Sequence, residues 1–157
     1  MGGDVALRFR GEQVQRTDAK FRLSIPAGFR RLLQEQGDSR LVMVRSLTGP
    51  CVAVYPAKEW ERREDVISAQ AQSNPTLVNM LRFQVAGAGE VSPDGHGRVL
   101  LNPPLREYAA IESNSDVVVV GQIRHFELWN LQRWQQAQKA VLDDLENWRA
   151  KLPELGL

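Results

Sequence analysis

Leu7 and Phe9 alternate with Arg8 and Arg10, so the pattern predicts a strand over Val5–Arg10 with one wet face. Gln13–Arg16 and Phe21–Ile25 read as two further short strands around a turn at Asp18, and Pro26 closes the second. From Ala27 to Gln36 the spacing of Phe29, Leu32 and Leu33 predicts a helix, with Gly37 as its stop. Leu41–Arg45 and Cys51–Tyr55 read as strands separated by the turn cluster Leu-Thr-Gly-Pro. Pro56 opens a helix that passes Trp60 and reaches about Gln72. Asn74-Pro75 breaks it and begins a short helix to about Leu81.

The same order then recurs. Phe83–Val91, rich in Gly and Ala, reads as extended, and Asp94–Arg98 as a turn. Val99–Leu101 is the next strand, and Asn102-Pro103 starts a helix over Pro104–Ala109. The β-branched run Val117–Val120 predicts a strand buried on both faces. Gly121–Arg124 leads into a strand over Phe126–Trp129. Trp134, Ala137, Val141, Leu145, Trp148 and Leu152 form one stripe of a last helix, ended by Pro153. Such a stripe docks on the body or on a neighbouring subunit.

The recurrence extends to residue identity. Gly11, Asp18, Arg22 and Arg30 are followed seventy-six residues later by Gly87, Asp94, Arg98 and Arg106. At an offset of 74, Cys51–Trp60 aligns with His125–Trp134. Two blocks in one order imply a tandem duplication. A half of about 75 residues is marginal alone, so the halves are expected to share one core about a pseudo-twofold axis, with strands open to exchange. The expected organisation is a first repeat over 8–60, linking helices over 61–82, a second repeat over 83–134 and a C-terminal amphipathic helix and tail over 135–157.

Composition narrows the class. The 157 residues are 43% hydrophobic and 25% charged, ordinary for a soluble globular chain. No apolar run reaches the length of a membrane span, the N-terminus lacks a signal-peptide pattern, and Cys51 stands alone. These features suggest a cytoplasmic protein with no membrane partner. The whole chain carries only +1, but Arg8–Arg31 holds seven cations against two carboxylates, a net of +5. The matching stretch Arg82–Glu107 is neutral. One of two equivalent faces is therefore basic, which is the footprint of a polyanionic partner; the plainer alternative is a solvated surface.

The Asp-x-x-x-Arg hairpin has a structural role available to it. Asp18 and Asp94 can accept backbone N–H bonds across their turns, and each arginine can return to its carboxylate. Gly95 and Gly97 supply positive φ in the second copy. The arginines also suit DNA: a two-stranded ribbon fits the major groove, and arginine forks onto guanine or grips phosphate. Lys20 lies two positions before Arg22, on the same face of an extended chain, and Arg8 and Arg10 share a face of the neighbouring strand. Arg30 and Arg31 suit flanking phosphates or solvent, with Arg31 read as solvated. Other chemistry is thin. Cys51 reads as an inert buried thiol. Trp60 and Trp134 read as core anchors. His96 and His125 lack companions at metal-ligand spacing. Glu59 and Glu61 face apart on their helix, and no phosphate-binding or hydrolase motif occurs. The expectation is no enzyme, no metal, no cofactor and no small-molecule substrate.

Phe9-Arg10-Gly11, Asp18-x-x-x-Arg22-Leu-Ser-Ile-Pro26, Tyr55-Pro56-x-x-Glu59-Trp60, Asp94-Gly-x-Gly-Arg98, Gly121-Gln122 and Phe126-Glu127-Leu-Trp129 together resemble the MraZ family, bacterial regulators of the division and cell-wall gene cluster. The matching pieces span about residues 8 to 145 in order. The resemblance implies an α+β fold of two AbrB-like swapped-hairpin repeats sharing a small β-barrel core. It implies a ring-shaped homo-oligomer that is nucleoid-associated and binds short tandem repeats in promoter DNA upstream of its own operon, repressing it. The position it carries over for DNA contact is Arg22, with Arg98 as its duplicate and Lys20 and Arg10 alongside. In one place the chain departs: Phe21 stands where the motif carries glycine. Phenylalanine resists positive φ, so either the first turn is shaped differently, or Phe21 points outward toward a thymine methyl or a partner subunit. A ring-forming scaffold without DNA readout is the alternative function, opposed by the +5 stretch. A single-repeat antitoxin of the same fold is opposed by length and duplication.

Overall fold

A computed structural model describes residues 7–157. The elements are β1 (Glu12–Arg16), β2 (Arg22–Ser24), α1 (Ala27–Gln36), β3 (Leu41–Arg45), β4 (Val52–Pro56), α2 (Ala57–Ala71) and α3 (Pro75–Ala86). They continue as β5 (Gly89–Val91), β6 (Arg98–Leu100), α4 (Pro103–Tyr108), β7 (Asp116–Gly121), β8 (Phe126–Asn130), α5 (Leu131–Asp143) and α6 (Leu145–Lys151), with a terminal 3-10 turn over Leu152–Leu155. The class is α+β, as expected. Among the described residues no helix is long and apolar enough to cross a membrane.

Six strands form one antiparallel sheet in the order β1-β7-β8-β4-β3-β5, and β2 and β6 form a separate two-stranded ribbon. The six-stranded order reads the same from either end once each strand is exchanged for its repeat counterpart. β1 of the first half pairs with β7 of the second, from Glu12↔Val120 to Arg16↔Asp116. β5 of the second half pairs in turn with β3 of the first. Each half therefore lends one strand to the other, the exchange that the halves' small cores anticipated.

Period-2 alternation in the central strands divides the interior in two. Leu41, Met43, Val52, Val54, Val117, Val119, Phe126 and Leu128 face the main core. There they meet Leu23 and Val99 from the ribbon and Phe29, Leu33 and Leu105 from α1 and α4. The alternate residues Val42, Val44, Ala53 and Tyr55 pack under Trp60 of α2. Val118, Val120 and Trp129 pack under α5. The valine run of β7 is thus buried on both faces. Phe9, Phe29 and Phe126 meet with ring centroids 5.1–5.3 Å apart at the middle of the main core.

Local signals account for the boundaries. Gly37 ends α1 at φ 81. Asn74, Asn102 and Asn130 cap α3, α4 and α5 by accepting from Thr76, Leu105 and Arg133 backbone N–H groups. Gly121 is a close approach: a Cβ there would lie 2.5 Å from the backbone of Phe9. That approach lets Phe9 exchange hydrogen bonds with Ile123 at 2.8 and 2.9 Å and insert its ring. Cys51 is fully buried, and burial pushes its thiol pKa up, so it is the inert thiol expected.

Several expectations are corrected. Phe83–Ala86 is helical, not extended, because α3 continues past Leu81. Gln84 donates to the Arg45 carbonyl at 3.0 Å, and Arg45 donates back to the Phe83 carbonyl while lying over its ring. Gly87 consequently caps α3 at φ −94, whereas Gly11 takes φ 86, so these aligned glycines are not conformational equivalents. The last helix is two: the chain breaks at Asp144, with φ −112. Only its beginning docks on the body, through Leu131, Trp134 and Ala137. Val141, Trp148 and Leu152 are exposed. Trp60 is a core residue, but Trp134 is half-buried and donates to Glu12 at 2.8 Å. Of the predicted first strand, Val5 and Ala6 lie outside the described residues, and Leu7–Arg10 is not a strand but makes only the isolated bridge of Phe9 with Ile123.

Candidate nucleic-acid interface

The two Asp-x-x-x-Arg turns lie side by side at the β2–β6 ribbon and are built alike. Asp18 Oδ1 accepts from the backbone N–H of Lys20 and of Arg22, both at 2.9 Å. Asp94 Oδ1 accepts likewise from His96 and Arg98 at 2.8 and 2.9 Å. The backbone closes in the same way, Asp18 N–H to Arg22 O and Asp94 N–H to Arg98 O. Arg22 Nε donates to Asp18 Oδ2 at 2.6 Å, and Arg98 Nε to Asp94 Oδ2 at 3.1 Å. The backbone donors of Arg22 and Arg98 are the largest cause holding Asp18 and Asp94 below their ordinary pKa. Both aspartates therefore remain anionic.

The ribbon brings the two arginines together. Leu23 and Val99 point into the core, so Arg22, Ser24, Arg98 and Leu100 form the outer face. Arg22 pairs with Leu100 and Ser24 with Arg98, which makes the arginines diagonal neighbours, ~7–8 Å apart at the backbone. Arg98 also reaches Asp18 Oδ2 at 4.0 Å, across the repeat boundary. Both arginine side chains are about one-third exposed. With Nε engaged, each can still offer its terminal NH2 edge, the fork that matches guanine O6/N7 or a phosphate.

Phe21 does not reshape the first turn. It adopts φ 60, the left-handed conformation that Gly97 takes at φ 76 in the second turn. What differs is the covering side chain. A Cβ on Gly97 would meet the Arg30 guanidinium at 2.6 Å, so Arg30 lies directly on the glycine, with its Nε donating to the Ile25 carbonyl at 3.0 Å. Arg106, the counterpart of Arg30, lies over the Phe21 ring with Cζ 3.6 Å from the centroid. Each turn is thus roofed by an arginine from the other repeat. Phe21 is half-buried against the core beneath its arginine, not projecting free.

The remaining predicted residues divide. Lys20 is exposed but sits in the turn, not in an extended strand, so the same-face argument with Arg22 does not apply. Arg8 and Arg10 are exposed on either side of buried Phe9. Their segment pairs with Gly121–Ile123, at the opposite end of β1 from Asp18, so they do not join the Arg22 ribbon. Arg30 belongs to the site through Gly97, Arg31 is exposed, and Gly95 is corrected: of the two glycines in the second turn only Gly97 takes the positive φ expected of both. Arg106 was not among the predicted contacts, although its offset from Arg30 marks it as the same position in the second repeat.

The MraZ family model, described as "MraZ protein, putative antitoxin-like", matches the chain twice, over residues 8–83 and 85–151. A protein of Serratia proteamaculans (strain 568) named "Transcriptional regulator MraZ" is 36% identical over 146 residues, covering 93% of this chain and 95% of that one. A protein of Yersinia pestis (strain Pestoides F) with the same name is 35% identical over the same shares. The chain belongs to the MraZ family.

Proposed function

We propose that this protein is a sequence-specific DNA-binding transcriptional regulator of the division and cell-wall gene cluster, repressing its own operon from short tandem repeats in the promoter. The observation that carries the reading is the pairing of the two Asp-x-x-x-Arg turns on one outward ribbon face, with Arg22 and Arg98 anchored at Nε and open at their far edge. Anchoring removes rotamer freedom before binding, so less is lost when the guanidinium meets a base. Arg22 is the principal reader, Arg98 its duplicate, and Lys20 and Arg30 sit beside them. Arg8 and Arg10 serve a separate stretch of DNA backbone. The names of the relatives support regulation of transcription.

The exchange of β1 and β5 supports two AbrB-like swapped-hairpin repeats, 8–60 and 83–134, sharing a small barrel core, with 61–82 linking and 135–157 trailing. The exposed Val141, Trp148 and Leu155 support assembly of copies into a ring, and a ring presents its ribbons at repeated spacing, so tandem boxes bind with avidity. Such a protein acts at the nucleoid without a catalytic step or cofactor.

Fluorescence anisotropy with the duplex upstream of its own gene, against a scrambled duplex, tests this. Affinity should fall with salt by ~0.9 per neutralised phosphate on a log–log plot. Arg22→Ala should cost roughly 5- to 150-fold on the specific duplex, the worth of one bidentate base contact. Equal affinity for both duplexes, or an indifferent Arg22→Ala, sinks the proposal. Absence of any salt-sensitive association leaves the scaffold alternative.

A further inference from the structure

We infer that Arg106 is a DNA-phosphate-binding residue of the first turn, delivered from the second repeat and held on the face of Phe21. The inference rests on the DNA-binding reading above and extends it to a residue pair that the Asp-x-x-x-Arg motif does not contain.

Four arginines converge on the paired turns, and three have an N–H engaged within the protein. Arg22 and Arg98 donate through Nε to carboxylates, and Arg30 to the Ile25 carbonyl. The Arg106 side chain donates to no acceptor and pairs with no carboxylate among the described residues, while its guanidinium sits over Phe21 with Cζ 3.6 Å from the ring centroid. Stacking satisfies the face of a guanidinium, which is weakly hydrated, and leaves the in-plane N–H groups directed outward. A cation fixed by its face, with every donor unspent, is prepared for an anion that approaches edge-on.

The platform carries local backbone strain. Phe21 stays at φ 60, where an L side chain is strained and a glycine would not be. The second turn needs no such residue: Gly97 carries Arg30 directly, and that arginine's Nε is already committed. Strain kept at one of two otherwise equal turns points to what the extra side chain carries. The position favours phosphate over base. Arg22 and Arg98 occupy the outer face of the ribbon, whereas Phe21 and Arg106 sit at its turn beside exposed Lys20, the rim where a groove-inserted ribbon meets the flanking backbone.

The test is a salt titration of the full chain on the upstream and scrambled duplexes. Arg106→Gln should weaken both duplexes by one common factor and reduce the log–log slope by ~0.9, which corresponds to about fivefold at 0.15 M salt. Phe21→Leu, which keeps the charge and removes the ring face, should keep the slope and lose a smaller factor. If Arg106→Gln leaves slope and affinity unchanged while Arg22→Ala loses specific binding, this inference fails and the DNA-binding reading survives. A loss confined to the upstream duplex makes Arg106 a base reader and overturns the phosphate assignment. If the wild type binds neither duplex, both readings fall. Should Arg106→Gln not fold, Arg106→Lys decides: wild-type affinity without the planar guanidinium removes any role for the stack.

Discussion

At position 21 the ordinary ranking of alanine over glycine should invert. Elsewhere, replacing glycine by alanine stabilises by ~0.4–1 kcal/mol, because alanine narrows the unfolded ensemble. At φ 60 alanine pays ~1–2 kcal/mol for the left-handed conformation, which outweighs that gain. Phe21→Gly should therefore be more stable than Phe21→Ala by about 0.5–1 kcal/mol, the difference of those two quantities. The wild-type ring recovers more than it costs. Half-burial against the core contributes ~1 kcal/mol, and the Arg106 stack ~0.5–1 kcal/mol. Phe21→Ala should accordingly lose ~1.5–2 kcal/mol and Phe21→Gly about 1 kcal/mol. At ~2–4 °C per kcal/mol for a chain of this size, alanine should melt roughly 3–8 °C below wild type, with glycine between them. Urea denaturation at one fixed protomer concentration is the assay, since assembly itself shifts apparent stability. An alanine variant as stable as the glycine variant would refute the reasoning, because residue 21 would then not occupy the left-handed region.

Gly121→Ala should cost ~2–4 kcal/mol in the same assay, because its Cβ displaces the Phe9 backbone, three hydrogen bonds of 2.8–2.9 Å and part of a fully buried ring; a loss below ~0.5 kcal/mol would mean the segment yields freely. The turn aspartates set a pH limit. Their folded pKa values lie below the unfolded ones, so their contribution is complete above the ordinary carboxylate value of about 4 and is lost as pH falls through the folded value. The urea midpoint of the wild type should therefore drop faster between pH 5 and 3 than that of Asp18→Asn/Asp94→Asn, and parallel curves would contradict the assignment.

What could be read from the chain depended on which kind of signal each feature leaves. Ala27–Gln36 and Leu41–Arg45 were legible to the residue, since proline, glycine and an apolar period mark them locally. The kinship of Arg22 with Arg98 was legible because duplication copied it. Strand partners left no local mark: nothing around Glu12–Arg16 says that it pairs with residues 116–120. Phe83–Ala86 misled because its helix is held by Arg45 and Gln84, contacts distant in sequence, while the nearby glycines and alanines imitate a loop. The break at Asp144 has neither glycine nor proline to announce it. Phe21 is a visible departure from the motif. Its consequence required knowing that Arg106 crosses from the other repeat. That crossing was implicit in the offset of Arg30 and Arg106, but only alongside the topology that sets α1 and α4 each over the other repeat's turn.

The exchanged edge strands also impose an order in time. β1 leaves the ribosome well before β7, yet among the described residues its only ladder is with β7, made about a hundred residues later. At ~5–20 residues per second, the first strand waits roughly 5–20 s for its partner. Until then Phe9 has no Ile123 to hold it and the three-phenylalanine centre cannot close. A nascent first half is therefore an exposed edge and an open core until the second half arrives to close both.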